Sequence, residues 1–336
     1  MPTGWDKQSE KEGLAQSERE RRQQDRSESA PASEVGAAEQ FISEAPTRRL
    51  DDVVLPRAVR ARLETALTRI RFHGKLYEQW NLKKIDPHGS RVAINFYGPP
   101  GTGKTICAEA VAHYIGKTII TVNYAEIESK YVGDTPKNIV AAFRKAAAIG
   151  SVLFFDEADS ILGRRLTSVT QSADHGVNVS RSVMLLQLDK FDGVVIFATN
   201  LARNYDSAFV RRILAHIEFE LPDHQCRALL WKQLLPLEVP IAADIAGDWL
   251  AAKSEGLSGG DIRNVVIAAA GRAVLRPGDA QRVTRADILE EIDAVRVAQS
   301  NVGRSGSSPT TVREEIVAPE QLPPDARARY ESVTNR

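Results

Sequence analysis

The sequence predicts an α/β fold in which a parallel sheet is covered by helices on both faces and a smaller helical domain follows. Continuous apolar runs separated by amphipathic helical patterns are typical of such a sheet, because its strands are buried on both sides. The runs that indicate strands are 92–96, 117–123, 151–159 and 193–200. After Pro222 the strand signal fades, and helical patterns occupy 224–235, 260–275 and 284–297.

The first strand leads into a glycine-rich segment, GPPGTGKT, over residues 98–105. Its pattern G-x-x-x-x-G-K-[ST] is typical of a loop whose backbone N–H groups bind phosphate together with the N-terminus of the next helix. Glycine allows the backbone to approach an anion closely. We expect Lys104 to reach the β- and γ-phosphates and the hydroxyl of Thr105 to bind Mg²⁺. An amphipathic helix predicted over 106–115 completes the expected context.

Two acids, Asp156 and Glu157, stand at the end of the third apolar run. A carboxylate at the first position can hold Mg²⁺ through water, and its neighbour can orient and polarise an attacking water molecule. This arrangement predicts a hydrolytic site at the carboxyl ends of the strands. The nearby Asp159 fits either this chemistry or a cap on the following segment.

The fourth apolar run ends in Asn200, and Arg211 and Arg212 follow in the segment NYDSAFVRRI. Beside a γ-phosphate the Asn200 amide can hold an attacking water in line, although an asparagine after a strand is also an ordinary turn residue. Guanidinium groups stabilise the charge that develops on a transferring phosphoryl group, and a neighbouring subunit often supplies them.

The charge and the cysteine content of the chain indicate which binding partners and which cellular compartment to expect. The chain has 336 residues with 44 basic and 44 acidic side chains. This balance argues against an overall positive charge that would attract nucleic acid or anionic lipid. A locally basic stretch over 57–84 favours a solvated helix face or a subunit contact over a nucleic-acid site. Two cysteines, Cys107 and Cys226, are too few for a disulfide framework and predict a cytoplasmic location. We expect a soluble protein without a membrane span or export signal.

Five motifs in order resemble those of an AAA ATPase module: GPPGTGKT, FFDEAD, FATN, DSAFVRRI followed by ELPD, and GLSGGDIRNVVIAAA. The chain is similar to the group that contains katanin, spastin, fidgetin and the endosomal-sorting disassembly ATPase, and to single-module bacterial AAA proteins. The resemblance covers about residues 49–298. It implies a P-loop NTPase fold with a helical lid, ATP and Mg²⁺ as cofactors, and a homo-oligomeric ring, usually a hexamer, with ATP bound between subunits.

The resemblance also implies roles for single residues. Glu157 would activate water, Asn200 would be the first sensor, and Arg211 and Arg212 would be fingers that reach into the next subunit's site. Thr105 and Asp156 would hold the metal. Residues implied to contact the nucleotide are Gly98, Pro99, Pro100, Gly101, Thr102, Gly103, Lys104, Thr105, Ile106 and Asp156, with Gly259 and Gly260 near the ribose and adenine.

This chain departs from the family pattern at two places. The segment LDDVVLPRAV lacks the glycine that usually follows the adenine-lining residues. This difference affects the adenine contacts that the resemblance implies for Asp52, Val53 and Val54. More distant AAA+ branches use a second sensor arginine near the position of Asp261, and none is assigned here. The resemblance does not decide which of Arg211 and Arg212 is the dominant finger.

The segment ESKYVGDTPKNI matches the pore loop of the family, in which an aromatic, a small aliphatic and a glycine grip an extended polypeptide. Tyr131, Val132 and Gly133 occupy these places. An exposed aromatic gives sequence-tolerant contacts, and glycine lets the loop move. A packed tyrosine in an ordinary loop is the alternative. Residues 168–180 would form a second pore loop.

These observations predict an N-terminal tail over 1–46, a large ATP-binding subdomain over 47–221, a small helical lid over 222–300 and a C-terminal tail over 301–336. The leading hypothesis is an ATP-hydrolysing motor that remodels a protein substrate by threading it through the pore of a ring. The alternatives are a ring or loader that acts on nucleic acid, against which the neutral charge argues, and an ATP-gated scaffold.

Overall fold

The computed structural model describes residues 41–86, 91–127, 134–163, 172–200 and 205–301. Contacts within the chain separate a compact unit that ends at Ile292 from a second one that begins at Asp293. Of the second unit, the described residues 293–301 form the C-terminal turns of the last helix.

Among the described residues, six strands form one sheet in the order β1-β3-β4-β5-β2-β6. Neighbouring strands are parallel except at one edge, where β1 runs antiparallel to β3. The predicted parallel sheet is confirmed, whereas β1 and β6 were not predicted. The strands are β1 Ser43–Glu44, β2 Val92–Tyr97, β3 Ile119–Asn123, β4 Val152–Asp156, β5 Val194–Thr199 and β6 Ala215–Glu218.

Helices connect the strands and continue after the sheet. The predicted helices at 106–115 and 224–235 are found within two residues of their expected bounds. The α-helices are α1 Arg57–Arg71, α2 Lys104–Tyr114, α3 Tyr124–Ile127, α4 Asp134–Ile149, α5 Asp159–Leu162, α6 Ser172–Leu188, α7 Ser207–Val210, α8 His224–Leu234, α9 Gly247–Lys253, α10 Gly259–Val274 and α11 Arg285–Asn301.

Alternate residues of β2, β3, β4 and β5 enter two separate cores, one on each face of the sheet. On β4, Phe155 packs in the core formed with α4 and α6, whereas Phe154 packs in the core formed with α1 and α2. Both phenylalanines are fully buried. Burying a side chain of this size stabilises the fold by about 1.5–3 kcal/mol. The double coverage explains why the strands are apolar without alternation.

The sheet order brings the carboxyl ends of three strands together. β2 lies between β5 and β6, and β5 lies between β2 and β4. Parallel pairing sets Tyr97 opposite Thr199, the last residues of β2 and β5. The segments that follow β2, β4 and β5 therefore emerge side by side at one edge of the sheet.

The N-terminal boundary differs from the predicted tail over 1–46. Phe41 is buried in the core, and β1 pairs with β3. Glu109 on α2 accepts hydrogen bonds from the Thr47 backbone N at 2.6 Å, from Thr47 Oγ1 at 2.8 Å and from the Arg48 backbone N at 3.3 Å. Residues 41–46 thus belong to the folded structure. A strand of two residues is too short to show a periodic pattern in the sequence.

Buried polar contacts hold α8 and α9 together. The guanidinium of Arg227 donates to the carbonyls of Ala251 and Pro222, each at 2.8 Å, and Trp231 Nε1 donates to Ser254 Oγ at 2.9 Å. All these polar side chains are buried. The described helices include none that has both the length and the apolar character needed to cross a membrane.

Glu109→Ala is expected to lower the free energy of unfolding by about 1–2 kcal/mol, because the three donors of residues 47 and 48 lose a charged acceptor. Burial alone would raise the pKa of Glu109, but the hydrogen bonds from Thr47 and Arg48 outweigh it and hold the pKa below its ordinary value. The contribution is therefore present above about pH 4.3 and is lost as the pH falls through the lowered pKa.

Urea unfolding at pH 7 and at pH 3 measures this effect, with the exposed Glu64→Ala on α1 as the matched control. A Glu109→Ala variant as stable as the control at pH 7 would contradict the anchoring role of this carboxylate.

Candidate active site

The glycine-rich segment after β2 is fixed from two sides. Gly98 has φ +138°, and a Cβ there would lie 2.2 Å from the carbonyl oxygen of Phe219. Gly101 has φ +74°, and a Cβ there would lie 2.5 Å from Ser258 Oγ. The Gly260 backbone N, in the first turn of α10, donates to the Gly101 carbonyl at 3.0 Å. Only glycine fits both positions, because each combines a positive φ with a close contact.

Lys104 begins α2 and is buried, with 8% of its surface exposed. Its Nζ donates to the carbonyls of Gly98 and Pro99, both at 2.8 Å, and to Asn200 Oδ1 at 2.9 Å. A lysine ammonium has three N–H donors, and each is directed at one of these oxygens. Burial lowers the pKa of Lys104, whereas Asp156 and Asp159 act in the opposite direction. The cation is thus held at the point where the phosphates are expected.

Thr105 and Asp156 are in contact, since the Thr105 hydroxyl donates to Asp156 Oδ2 at 2.9 Å. Both are oxygen ligands of the kind that Mg²⁺ prefers, and Mg²⁺ commonly combines one or two such ligands with phosphate oxygens and water. No cluster of three or more His, Cys, Asp or Glu side chains suited to a metal occurs in the part of the chain that the structure describes. The residues present fit a metal that is shared with a phosphate ligand.

Glu157 lies directly after β4 in a conformation that is rare for a residue with a side chain. Its φ is +52°, and its backbone N donates to Asp156 Oδ1 at 2.9 Å. A left-handed conformation at a residue other than glycine costs about 1–3 kcal/mol and is found most often at functional sites. The turn places a second carboxylate next to Asp156, the expected metal ligand.

Asp159 connects the ends of two strands. Its Oδ1 accepts hydrogen bonds from the Thr199 hydroxyl and from the Asn200 backbone N, the latter at 3.0 Å. The N-cap of α5 is Ala158, and Asp159 is not a capping residue. Asp159 positions the residue whose amide accepts from Lys104.

These elements line a cavity of about 410 Å³, a size typical of small-molecule sites. The structure brings most of the predicted nucleotide contacts to it, while Gly98 and Pro99 lie behind Lys104. The adenine-lining segment expected at Asp52–Val54 also borders it. Predicted residues at the cavity wall are Pro100, Gly101, Thr102, Gly103, Lys104, Thr105, Ile106, Asp156, Glu157, Asn200, Gly259 and Gly260.

Residues 94–221 match the family model described as "ATPase family associated with various cellular activities (AAA)". This part of the chain is an AAA domain. The matched range contains most of β2, all of β3 to β6, and Asp156, the cavity residue that lies in a strand.

Several AAA relatives are similar to this chain over much of its length. It is 31% identical to the Cell division cycle protein 48 homolog of Archaeoglobus fulgidus over 88% of the chain and 40% of the relative. It is 35% identical to the Proteasome-activating nucleotidase of Methanopyrus kandleri over 60% of the chain and 47% of the relative. For Spastin of Ixodes scapularis the identity is 36%, over 49% of the chain and 26% of the relative. The chain thus spans less than half of each of these proteins.

The AAA domain keeps its arginine pair outside its own cavity. Arg211 and Arg212 are exposed residues that follow α7. Arg212 forms a bidentate ion pair with Asp189, in which Nε donates to Oδ1 at 2.7 Å and Nη2 donates to Oδ2 at 2.8 Å. No local pattern indicates this pairing, because Asp189 lies 23 residues before its partner.

The predicted pore-loop residues Tyr131, Val132 and Gly133 lie outside the described residues. Residues 168–171 of the predicted second pore loop also lie outside them. The rest of that segment, 172–180, is not a loop but belongs to α6. Helical structure there continues the amphipathic pattern that leads to the buried Met184.

The AAA domain also has cavity residues that sequence reasoning missed. Gln233 on α8 borders the cavity, and its Nε2 donates to the Asp52 carbonyl at 2.8 Å. Arg263, an exposed residue of α10, also borders the cavity although no arginine was assigned there. Its position five residues after Ser258, on the first turns of a helix next to the glycine-rich loop, is the signal that could have found it. The other missed residues are Leu55, Pro56, Val59, Phe219, Glu220, Pro222, Leu230 and Leu234.

Asp159→Ala is expected to slow ATP hydrolysis about 10- to 100-fold, while the Kd for a fluorescent ATP analogue changes less than about threefold. The reason is that Asn200 loses the acceptor for its backbone N, whereas the phosphate-binding loop is untouched. Steady-state kinetics and equilibrium titration separate the two quantities.

Asp192→Ala, at an exposed aspartate before β5, is the matched control and should leave both quantities unchanged. A parallel loss of affinity and rate in Asp159→Ala would mean that Asp159 supports the whole cavity and not the position of Asn200.

Proposed function

We propose that this chain is an ATPase that hydrolyses ATP to ADP and phosphate and uses the cycle to remodel protein targets as a homo-oligomeric ring. One observation carries the hydrolytic part: Lys104, Asn200 and the Thr105–Asp156 pair converge on one cavity, with Glu157 beside them. Binding, metal and catalytic groups then surround a single γ-phosphate.

In this mechanism Lys104 exchanges carbonyl oxygens for phosphate oxygens, and the backbone N–H groups of the glycine-rich loop bind the β-phosphate. Glu157 accepts a proton from water as the water oxygen bonds to the γ-phosphorus. The bond from this phosphorus to the β–γ bridging oxygen breaks, and ADP takes the electron pair. Asn200 orients the water. Mg²⁺ bound to Thr105 and Asp156 would neutralise phosphate charge.

The strained turn at Glu157 favours hydrolysis over an ATP-gated scaffold. A scaffold that only binds ATP needs no general base, and a left-handed glutamate would be a cost without a function. The conformation is expected where a carboxylate must stand next to the metal ligand.

The exposed arginine pair supports assembly into a ring. Arg211 and Arg212 lie outside their own cavity, so a catalytic task for either requires the site of a neighbouring copy. A residue supplied in this way needs a head-to-tail interface, which closes into a ring when the rotation allows it. We propose a hexamer, as the resemblance implies.

The substrate-handling part of the proposal rests on Tyr131, Val132 and Gly133 and on the relatives. The Proteasome-activating nucleotidase and the 26S proteasome regulatory subunit 6B homolog of Encephalitozoon cuniculi carry names that link them to protein degradation. Zero net charge disfavours the alternative of a nucleic-acid ring, whose channel would be lined with basic groups. A protein threaded through the pore is therefore the proposed substrate.

The subdomain division and location are part of the same proposal. Residues 47–221 would bind ATP, and the helices after Pro222 would act as a lid, a role that the Gly260–Gly101 hydrogen bond at 3.0 Å supports. A cytoplasmic location agrees with Cys107 and Cys226, which are buried free thiols.

The specific ATPase rate is expected to rise with protein concentration and to level off when the ring is fully assembled. Glu157→Gln should abolish turnover, by about 100-fold or more, while ATP binding and assembly persist. Steady-state ATPase assays and light scattering over the same concentrations measure both. A specific ATPase rate that does not depend on protein concentration would contradict assembly into a ring.

The threading step has its own variants. Tyr131→Ala should retain ATP hydrolysis and lose unfolding of a tagged fluorescent protein substrate, whereas Tyr131→Phe should retain both, because the aromatic contact remains. Normal substrate unfolding by Tyr131→Ala would remove the threading mechanism and leave the ATPase intact.

A further inference from the structure

We infer that Arg211 is the arginine that contacts the nucleotide of the neighbouring subunit, whereas Arg212 is a positioning residue held within its own subunit by Asp189. The inference rests on the proposed ATPase ring and divides two tasks that the sequence leaves open. The observations that carry it are the unequal contacts of two adjacent arginines.

Three of the Arg212 donors are engaged within the chain. Two of them form the bidentate pair with Asp189, and Nη1 donates to the Ala208 carbonyl at 3.0 Å. A bidentate guanidinium–carboxylate pair is both strong and directional. The hydrogen bond to Asp189 raises the pKa of Arg212, and the guanidinium is already the most basic of side chains. A bidentate contact with a phosphate through Nε and Nη2 would therefore require Arg212 to give up its pair with Asp189.

The contacts of Arg212 join two elements that flank the arginine segment. Asp189 directly follows α6, and Ala208 lies in α7, the single turn before Arg211. The last carbonyls of a helix lack partners within the helix, and a cation is a suitable donor to them. Arg212 therefore fixes α7 against the end of α6.

Buried residues on both sides hold this segment in place. Phe209 is fully buried and Ile213 is 6% exposed, whereas Val210, Arg211 and Arg212 between them are exposed. Asp206 starts α7 as an N-cap, with its carboxylate accepting from the Ala208 backbone N at 2.8 Å. The three exposed residues thus project from a rigid, anchored turn.

Arg211 is placed differently from its neighbour. Its side chain has no hydrogen bond or ion pair with any residue that the structure describes. All five N–H donors of the guanidinium are thus available to a phosphate without loss of an existing contact. Because the backbone of this segment is already fixed, binding has to order only the Arg211 side chain.

The competing possibility is a latch, in which Asp189 stores Arg212 until a neighbouring nucleotide displaces it. The two ideas predict opposite effects of removing the carboxylate. If Asp189 positions Arg212, Asp189→Ala lowers turnover as Arg212→Ala does. If Asp189 only stores Arg212, Asp189→Ala leaves turnover unchanged or raises it.

The experiment is a double-mutant cycle on the ATPase rate at saturating protein concentration. Arg211→Ala is expected to lower the rate at least about 100-fold, since an arginine donated in trans contributes a factor of this size or more. Arg212→Ala and Asp189→Ala should each lower it about five- to twentyfold. The double variant Asp189→Ala/Arg212→Ala should be no slower than either single variant, because both remove the same contact.

A mixing experiment tests whether Arg211 acts in trans. Glu157→Gln subunits keep both arginines but cannot hydrolyse ATP, and Arg211→Ala subunits keep Glu157. Each is expected to be inactive alone, and their mixture should regain a rate at least about tenfold above either. Thermal unfolding gives an independent readout, in which Arg212→Ala and Asp189→Ala lower Tm equally and Arg211→Ala leaves Tm unchanged.

Each failure has a distinct signature. A wild-type rate independent of concentration, together with no recovery on mixing, would refute the ring and with it the proposed function. An active ring in which Arg211→Ala keeps most of the rate, or in which Asp189→Ala is as fast as wild type while Arg212→Ala is inactive, would overturn the assignment alone. Arg211→Lys keeps the positive charge but lacks the planar, bidentate guanidinium, so its ATPase rate should be at least about tenfold below that of the wild type.

Discussion

The buried ammonium of Lys104 is the constraint on which the site depends. A cation removed from water must be given acceptors, or the fold loses several kcal/mol. The chain supplies Gly98 O, Pro99 O and Asn200 Oδ1, which come from the segments after two neighbouring strands. The parallel pairing of β2 with β5 is what brings these segments to the same ammonium. The charge of Lys104 therefore links the loop after β2 to the asparagine after β5.

How far the sequence predicts this site follows from how local each interaction is. The loop over 98–105 and the acids at 156 and 157 are contiguous motifs that end apolar strands, and the structure places them at one cavity. Asp159 is different, because its task is a contact with Thr199, 40 residues away. Arg212 with Asp189 and Gln233 with Asp52 are also distant in the sequence, 23 and 181 residues apart. Contacts of this kind depend on tertiary packing, which local patterns do not encode.

The same limit applies to the fold. Long apolar strands and amphipathic helices were placed within a few residues, because each carries its own periodic signal. The two-residue strand β1 carries none, and the tail boundary at 46 was wrong because only the burial of Phe41 and the anchor at Glu109 show that the chain is already folded there. Single side chains fix such an edge segment, so the sequence contains no periodic pattern that predicts it.

The helices after the sheet reach both ends of the cavity. Gly260 on α10 binds the glycine-rich loop through the Gly101 carbonyl, while Gln233 on α8 binds the Asp52 carbonyl at the adenine-lining segment. Gly101 also lies close to Ser258, since a Cβ at Gly101 would be 2.5 Å from Ser258 Oγ. A ligand that moves the loop must therefore move the start of α10 or break the Gly260 hydrogen bond. The helical region is in this way linked to the loop that is expected to bind phosphate, and the proposed motor would need such a link.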